Sequence, residues 1–348
     1  MRALTVQPKL PHSARLDDLS DAPGESPGLA LNPVCVGLCG TDAEILRGDY
    51  GWAPPGRERL VLGHECVARV AEAGDGFNRG ELVVPIVRRP DPLPCAACAA
   101  GEWDMCRNGE YTEHGIKALD GFCAESIRVR PDFLVRVPPA LGALGVLVEP
   151  ASVVAKAWEH IERIGRRAFW APRRVLVTGA GPVGLLAALL GRQRGLDVTL
   201  FDRATEGPKP RLARALGAQY ATGKLDDLLA DSLPDITIEC TGATSVIVEV
   251  VENNASAAIT CLVGVSGSEP AIPIDVGALN RGIVLENDVI FGTVNANRRH
   301  FELAAQALAK ADPAWLESLI TRRVPLDRWQ DAFARREDDV KVLLEVTA

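Results

Sequence analysis

The feature of this sequence that most constrains its fold is a glycine pattern set between two apolar runs. Residues 175–178 form a short β-type run, and they are followed directly by Gly179-Ala180-Gly181-Pro182-Val183-Gly184. Residues 185–190 are then apolar and helix-forming throughout. Gly-x-Gly-x-x-Gly between a strand and a helix is typical of the βαβ units in doubly wound parallel sheets.

Each position of this pattern has a physical reason. Gly179 permits the tight turn after the strand, and Gly181 lets a pyrophosphate approach the backbone because it carries no side chain. Gly184 allows the helix to pack closely against the strand. The helix opened by Pro182 and Val183 presents free N–H groups and a positive dipole end to phosphates. The pattern therefore predicts a dinucleotide-binding turn.

A carboxylate and a cation follow the next predicted strand. Asp202 lies eighteen residues after Gly184. Its side chain can accept hydrogen bonds from the adenosine ribose hydroxyls and would repel a 2′-phosphate, which favours NAD. The neighbouring Arg203 could bind that phosphate instead, so NADP stays open as the alternative.

The residue composition and pattern of the chain change near residue 150. The first part is rich in Gly and Pro, with β-type runs at 60–62, 67–70 and 82–87, which predicts an irregular, largely antiparallel β domain. The second part alternates strands and helices, which predicts a parallel sheet. The predicted strands there are 174–178, 197–201, 236–239 and 259–263, and the predicted helices are 151–167, 182–194, 210–216, 245–253, 300–310, 314–318 and 328–336.

Composition narrows the function classes. A chain of 348 residues with 47% apolar and 24% charged residues is a globular protein of about two domains. Its net charge of −8 disfavours nucleic acid as a partner. The longest apolar stretch, 175–191, is interrupted by glycines and a proline, so we expect no membrane span. The N-terminus has no signal-peptide pattern, and we expect a cytoplasmic location.

The cysteines point to metal rather than to disulfides. There are nine of them, an odd number, in a chain without an export signal. His64-Glu65 lies downstream of Cys39, and Glu149 lies where the residue pattern changes. A thiolate, an imidazole and a carboxylate with one position left for water describe a catalytic zinc site.

Several motifs together identify a family. The chain resembles the zinc-dependent medium-chain dehydrogenases in Val36-Gly37-Leu38-Cys39-Gly40-Thr41-Asp42, Leu62-Gly63-His64-Glu65 and the glycine pattern. Within that superfamily it is most similar to the glucose 1-dehydrogenases. The segments that carry this closer resemblance are Gly48-Asp49-Tyr50-Gly51, Val87-Arg88-Arg89-Pro90, Glu113-His114-Gly115-Ile116, Asp120-Gly121-Phe122, Val148-Glu149-Pro150 and Gly292-Thr293-Val294-Asn295.

The resemblance implies an architecture. It implies an α/β protein with a GroES-like, mostly antiparallel β catalytic domain at 1–151 and 296–348, and a Rossmann nucleotide-binding domain at 152–295. It further implies a homodimer or homotetramer joined through the edge of the Rossmann sheet. The segment 269–274 is a candidate for that edge, its prolines restricting which N–H groups can pair.

The resemblance also implies the parts of a reaction. Cys39 and His64 would hold a catalytic zinc ion, completed by Glu65 or Glu149. Glu65, the acidic residue after the histidine, would act beside the metal or exchange onto it. Thr41 would take the proton of the substrate hydroxyl and relay it through the cofactor ribose. Zinc would lower the pKa of the reacting hydroxyl while hydride passes to the nicotinamide of NAD or NADP.

A second cysteine group resembles the structural zinc lobe of the family. Cys95, Cys98 and Cys106 match three of its four positions, but Pro92 stands at the place of the first. Asp91 or Glu110 could be the fourth ligand. The alternative is a lobe without metal.

The expected substrate is a sugar, most simply D-glucose oxidised at C1 to gluconolactone. Thr41, Glu113, Glu149 and Asn295 are the candidate substrate residues, and Thr241 and Asn295 join the candidate cofactor residues. We expect His300, at the start of a helix, to be solvated. The alternatives are a polyol or other alcohol dehydrogenase of the same superfamily and, less favoured, a non-catalytic nucleotide-binding protein.

Overall fold

The computed structural model describes residues 1–267 and 271–346 of the chain and separates into two units. The first unit comprises Met1–Ser152 and Asn295–Ala348, and the second comprises Val153–Val294. The assignment of a catalytic role to the first and a nucleotide-binding role to the second stays a prediction.

The chain up to residue 152 forms mostly short strands. In order these are β1 (Arg2–Val6), β2 (Arg15–Asp18), β3 (Leu29–Gly37), α1 (Gly40–Arg47), β4 (Leu60–Val61), β5 (Glu65–Val70), β6 (Leu82–Pro85), β7 (Arg88–Arg89), α2 (Ala96–Ala99), β8 (Thr112–His114), β9 (Ala118–Leu119), β10 (Ile127–Val129), β11 (Leu134–Arg136) and the start of α3 (Val148–Gly165). Short 3₁₀ turns occupy Trp103–Met105, Pro131–Phe133 and Gly142–Leu147.

The middle of the chain alternates strands and helices. Its elements are β12 (Arg174–Thr178), α4 (Pro182–Gln193), β13 (Asp197–Phe201), α5 (Pro208–Ala215), β14 (Gln219–Ala221), α6 (Leu225–Asp231), β15 (Ile236–Glu239), α7 (Thr244–Glu252), β16 (Ile259–Leu262), α8 (Val276–Glu286) and β17 (Val289–Gly292). The chain then returns to the first unit with α9 (Arg298–Ala309), α10 (Pro313–Leu319), β18 (Ile320–Pro325), α11 (Trp329–Phe333) and β19 (Lys341–Glu345).

The main sheet of the first unit brings distant parts of the chain together. Its strand order is β11-β6-β5-β3-β19-β18, with β10 also pairing with β3. Gly37 near the end of β3 lies opposite Glu65 of β5 on one side and opposite Leu343 of β19 on the other. The loop after β3, the start of β5 and the start of β19 therefore meet at one end of the sheet.

The sheet of the second unit is parallel and has the order β14-β13-β12-β15-β16-β17. Strand order reverses on either side of β12, and the glycine turn follows that strand. Ligands in such sheets bind at this switch point, outside the carboxyl ends of the strands. Together with the mainly antiparallel first unit, this confirms the predicted fold class.

Element bounds follow the predicted periodicity closely in the second unit. The strands at 174–178, 197–201 and 236–239 lie as predicted. The predicted helix at 151–167 instead begins at Val148 and ends at Gly165, so Glu149 lies in its first turn. Four elements, α6, α8, β14 and β17, were not predicted.

The predicted sheet edge at 269–274 is wrong where it can be checked. Glu269 and Pro270 lie outside the described residues, and 271–274 form no strand. The edge strand on this side is β17 instead. Among the described residues, no helix has both the length and the apolar character needed to span a bilayer.

Candidate functional site

Three predicted metal ligands converge at the end of the main sheet. One donor atom each from Cys39, His64 and Glu65 lies within 4.8 Å of the others. Cys39 caps the N-terminus of α1, where its Sγ accepts a hydrogen bond from Thr41 N at 3.3 Å. The same Sγ lies 3.1 Å from Nε2 of His64. A thiol, an imidazole and a carboxylate are the donor set of a catalytic zinc ion, so these residues fit that metal.

Asp42 holds both of the first two donors in place. Its Oδ1 lies 3.4 Å from His64 Nδ1, and its Oδ2 accepts a hydrogen bond from Cys39 N at 3.0 Å. Burial alone would lower the pKa of His64, but the charges of Cys39 and Asp42 hold it well above its ordinary value. With Nδ1 engaged by a carboxylate, Nε2 is left for a metal.

Lys341 supplies a cation that no sequence pattern predicted. Its side chain is 1% exposed, pairs with Glu65 Oε2 and donates to the carbonyl of Leu38 at 3.0 Å. Burial opposes its charge, but Glu65 and the Cys39 thiol raise its pKa above the ordinary value. A Cβ on Gly37 would stand 2.2 Å from Glu65 Oε2, so only glycine leaves room for this pair.

Glu149 is buried beside this group but is not among the residues within 4.8 Å of one another. Burial, reinforced by the charge of Glu65, raises its pKa to about 7, while His64 opposes that shift. The arrangement therefore places Glu65 with Cys39 and His64, and Glu149 next to them. Which carboxylate completes the ligand set stays a prediction.

Two of the predicted substrate residues are in direct contact. Asn295, in the left-handed backbone region at φ +58°, donates from Nδ2 to Glu113 Oε1 at 2.7 Å. Arg88, which was not predicted as a site residue, donates from Nε to the same oxygen at 3.0 Å.

The lobe cysteines also converge. Cys95, Cys98 and Cys106 offer sulfur atoms that lie within 4.8 Å of one another. Backbone N–H groups, first that of Arg107 at 3.4 Å, lower the pKa of Cys95 to about 6. Burial raises the pKa of Cys98 to about 11.

The two candidate fourth ligands of the lobe differ. Asp91 is 4% exposed, and its Oδ1 accepts from Leu93 N at 2.8 Å. Its Oδ2 is inaccessible and has no hydrogen-bond partner among the described residues. Glu110 is exposed. Neither belongs to the group that the three thiols form.

The glycine turn has the space that a dinucleotide needs. Gly179 has φ +87°, and a Cβ on Gly184 would stand 1.8 Å from the Gly179 carbonyl oxygen. A Cβ on Gly181 would have no heavy atom of the described residues within 4 Å, apart from its chain neighbours, so the backbone there is open. Pro182 and Val183 begin α4. This cradle fits a pyrophosphate.

Asp202 is already held by several donors. Its oxygens accept from Ala180 N at 2.7 Å, from Ala204 N at 3.0 Å and from Lys209 Nζ at 3.1 Å. Burial opposes its charge, but these donors lower the pKa of Asp202. Arg203 beside it is exposed. Lys209 was not predicted because it comes from the next helix.

Thr241 lies against the glycine turn. Its Cγ2 would stand 2.9 Å from a Cβ on Gly179, and its N–H donates to Glu239 Oε1 at 2.6 Å. Glu239 is fully buried and also accepts from Thr178 Oγ1 at 3.2 Å. This carboxylate, which was not predicted as a site residue, fixes the loop in which Thr241 lies.

The expectation that His300 is solvated is wrong. The side chain is fully buried, and its Nδ1 accepts a hydrogen bond from Asn297 N at 3.2 Å. It does so as the N3 residue of a capping box at the start of α9. A capping residue on a packed helix is shielded even though it stands at the helix start.

Family models match nearly the whole chain. Residues 29–139 match the alcohol dehydrogenase GroES-like domain, and residues 142–346 match the model described as the glucose dehydrogenase C-terminus.

Individual relatives agree with these two family models. The chain is 41% identical to glucose 1-dehydrogenase 2 of Vulcanisaeta moutnovskia over 354 residues, and 41% identical to glucose 1-dehydrogenase of Thermoproteus tenax over 355 residues, each alignment covering 99% of both chains. Among solved structures, it is similar to Haloferax mediterranei glucose dehydrogenase in complex with NADP, Zn and gluconolactone. That match has a TM-score of 0.92, 30% identity and full coverage of both chains.

Proposed function

Because the chain belongs to the glucose dehydrogenase family of zinc-dependent medium-chain dehydrogenases, we propose that it oxidises an aldose, D-glucose in the first place, at C1 to gluconolactone. NAD or NADP would accept the hydride that leaves C1. The observation that carries the proposal is the convergence of Cys39, His64 and Glu65 within 4.8 Å. The mixed set of a thiol, an imidazole and a carboxylate is typical of catalytic zinc sites, whereas structural sites use cysteine and histidine.

Cys39 and His64 would hold the zinc ion, with Glu65 or Glu149 as the carboxylate. When bound, zinc supplies a positive charge that lowers the pKa of the sugar hydroxyl. Asp42 fixes the imidazole so that Nε2 faces the thiol of Cys39. Lys341 pairs with Glu65 Oε2 and balances the negative charge of that carboxylate.

Other side chains handle the proton and the sugar. Thr41, two residues after Cys39, takes the hydroxyl proton and passes it towards the cofactor ribose. Glu113 and Asn295 form hydrogen bonds with ring hydroxyls away from C1. Their mutual contact at 2.7 Å supports a shared role, because one substrate can reach both.

The glycine turn binds the dinucleotide. Gly179, Gly181 and Gly184 leave the backbone open to a pyrophosphate. The nicotinamide supplies the redox chemistry, and the protein orients it. Asp202 would accept hydrogen bonds from the ribose hydroxyls of NAD. Lys209, which pairs with Asp202, and the exposed Arg203 would offer positive charge to the 2′-phosphate of NADP.

A second zinc ion has a structural role in the lobe. Cys95, Cys98 and Cys106 supply thiolates, and backbone N–H groups already stabilise the first of them. Asp91, or water, completes the set. All four coordination positions of such a site would be filled, so it would take no part in the reaction. Convergent unpaired thiols also agree with a reducing, cytoplasmic location.

The protein assembles as a homodimer or homotetramer. Strand β17 is at the edge of the parallel sheet, and α8 beside it in sequence has no buried side chain. Val276, Val284 and Leu285 of this helix are 65%, 63% and 73% exposed. Sedimentation of Val284→Glu/Leu285→Glu tests the proposal, because charge on this face should give monomers.

A spectrophotometric panel tests the reaction. Aldoses, polyols and simple alcohols are offered with NAD and with NADP, before and after removal of metal by a chelator. We expect reduced cofactor with glucose, loss of that signal on chelation, and recovery with zinc. Polyol or alcohol oxidation without aldose turnover would instead identify an alcohol dehydrogenase. Cofactor binding with no turnover of any substrate would identify a non-catalytic nucleotide-binding protein.

A further inference from the structure

Arg88 and Glu113 face each other across two short strands. They are direct partners in the antiparallel register of β7 and β8. Glu113 Oε1 accepts hydrogen bonds from Arg88 Nε at 3.0 Å and from Asn295 Nδ2 at 2.7 Å. Arg88 Nη2 lies 2.9 Å from the same oxygen. Every described donor to this carboxylate thus reaches the same oxygen.

The second oxygen of Glu113 is left without a donor. No described residue donates a hydrogen bond to Oε2. Oε2 is not one of the inaccessible side-chain atoms that lack a partner, so it is accessible to solvent. A buried carboxylate normally fills its acceptor sites with protein donors. An oxygen left open on a side chain that is only 8% exposed is available to a ligand.

Arg88 itself is fixed from three sides. Its guanidinium lies 3.8 Å from the centroid of the Tyr111 ring, and its Nη1 donates to the carbonyl of Asp104 at 3.2 Å. The residue is 4% exposed. An arginine stacked on a ring and held through its fork has little freedom to move, so it sets the orientation of the carboxylate that it contacts.

We propose that Arg88 is a positioning residue for substrate recognition: it holds Glu113 by one oxygen so that the other accepts a hydroxyl of the sugar. This inference rests on the proposed function. The guanidinium of Arg88 balances the charge of this buried carboxylate, and a charge-assisted hydrogen bond to a hydroxyl is stronger than one between neutral groups. Arg88 thereby contributes to sugar binding without contacting the sugar.

A double-mutant cycle tests the proposal. The variants are Arg88→Met, Glu113→Gln and the two combined, assayed with D-glucose. We expect Arg88→Met to raise KM by roughly 10- to 100-fold with a much smaller change in kcat, as for the loss of one hydrogen bond to a charged group. Since both residues act through one contact, the double variant should be little worse than either single variant. The dissociation constant of NADH, measured by fluorescence, should not change.

Two further variants separate positioning from folding. Arg88→Lys keeps the charge but loses the fork, so its KM should fall between those of wild type and Arg88→Met. Lys117→Met is the matched control, because Lys117 Nζ lies 4.1 Å from the same Tyr111 ring, and only its backbone, which the substitution keeps, is hydrogen bonded to Glu113. Its KM should be that of wild type. If Arg88→Met does not fold, the KM rise of Arg88→Lys must still vanish in the Glu113→Gln background.

Additive losses in the cycle, or an unchanged KM in a folded Arg88 variant, would overturn the proposal. A parallel loss of NADH affinity would overturn it as well. Glucose turnover by the wild-type protein is scored separately. The role of Arg88 can therefore fail while the proposed reaction stands, and absence of aldose turnover would remove both.

Discussion

The first unit contains two groups of candidate metal ligands that are held in different ways. Cys39, His64 and Glu65 are three different donors, and charged side chains surround them. Cys95, Cys98 and Cys106 are three identical donors, and backbone N–H groups stabilise the first of them. Both groups converge within the same 4.8 Å, so convergence alone does not separate them.

The surroundings separate them. Asp42 contacts His64 and the backbone of Cys39, Lys341 contacts Glu65, and both charged side chains are buried. Burying such charges costs free energy that their attraction does not reliably recover, so they are weak evidence for stability. They do orient donors and set charge, which an ion with an open coordination position requires. Among the described residues, no buried charged side chain orients the lobe cysteines in this way. This is expected if the lobe holds an ion that only crosslinks loops.

Replacement of Cys39 has the largest expected effect. Cys39→Ser removes a ligand whose metal contributes several kcal/mol to the transition state, so kcat/KM should fall by about 1000-fold or more. Zinc content, measured by atomic emission, should fall by one equivalent. Retention of that equivalent together with full activity would place the reacting ion elsewhere.

Replacement of Asp42 comes next. Asp42→Asn keeps an acceptor for the Cys39 N–H but removes the charge next to His64, which should weaken zinc binding or activity by roughly 10- to 100-fold. A competition titration with a chromogenic chelator measures the affinity. Asp49→Asn, an exposed carboxylate just after α1, is the control. Equal zinc affinity and activity for Asp42→Asn and wild type would reduce Asp42 to a helix cap.

Replacement of Lys341 should act on stability more than on chemistry. Lys341→Met leaves Glu65 buried without its cation, which costs about 3 kcal/mol in the metal-free protein. Zinc restores a positive charge beside Glu65, so the loss in Tm should be smaller for the zinc-loaded protein. Calorimetry of both forms measures the difference, and Lys341→Arg should behave more like wild type. Equal losses in the two forms would contradict the proposed link between this lysine and the metal.

Replacement of a lobe cysteine has the smallest expected effect on activity. Cys95→Ser should remove one equivalent of zinc and lower Tm, with kcat/KM for glucose close to the wild-type value, because a closed structural site takes no part in the reaction. Metal analysis before and after the substitution is decisive. A wild-type protein with a single zinc equivalent, unaffected by Cys95→Ser, would show a lobe without metal.

Local patterns predicted most of the fold and the donors of the site. The turn at Gly179 could be identified because a few neighbouring residues with a definite chemistry carry it. Cys39 and His64 were expected from the family resemblance, which left Glu65 and Glu149 open as the carboxylate. Asp42 could have been found from its place three residues after Cys39, since a helix cap with an acidic residue at that distance forms a capping box.

The remaining partners come from pairings between strands or helices that no local pattern encodes. Lys341 reaches Glu65 only because β19 lies beside β3, and Arg88 reaches Glu113 only through the register of β7 and β8. Lys209 reaches Asp202 from the following helix. His300 was misjudged for a related reason, since tertiary packing and not its place at a helix start decides its exposure.

The pairing of Lys341 with Glu65 has a consequence for biosynthesis. The lysine is made 276 residues after the glutamate, an interval on the order of tens of seconds on a ribosome. During that interval the nascent chain carries its thiol, imidazole and carboxylate without the balancing ammonium group. A zinc ion bound during that interval would contact a more negative set of ligands than in the finished enzyme. When β19 is then added to the sheet, Lys341 would weaken the interaction between the zinc ion and Glu65.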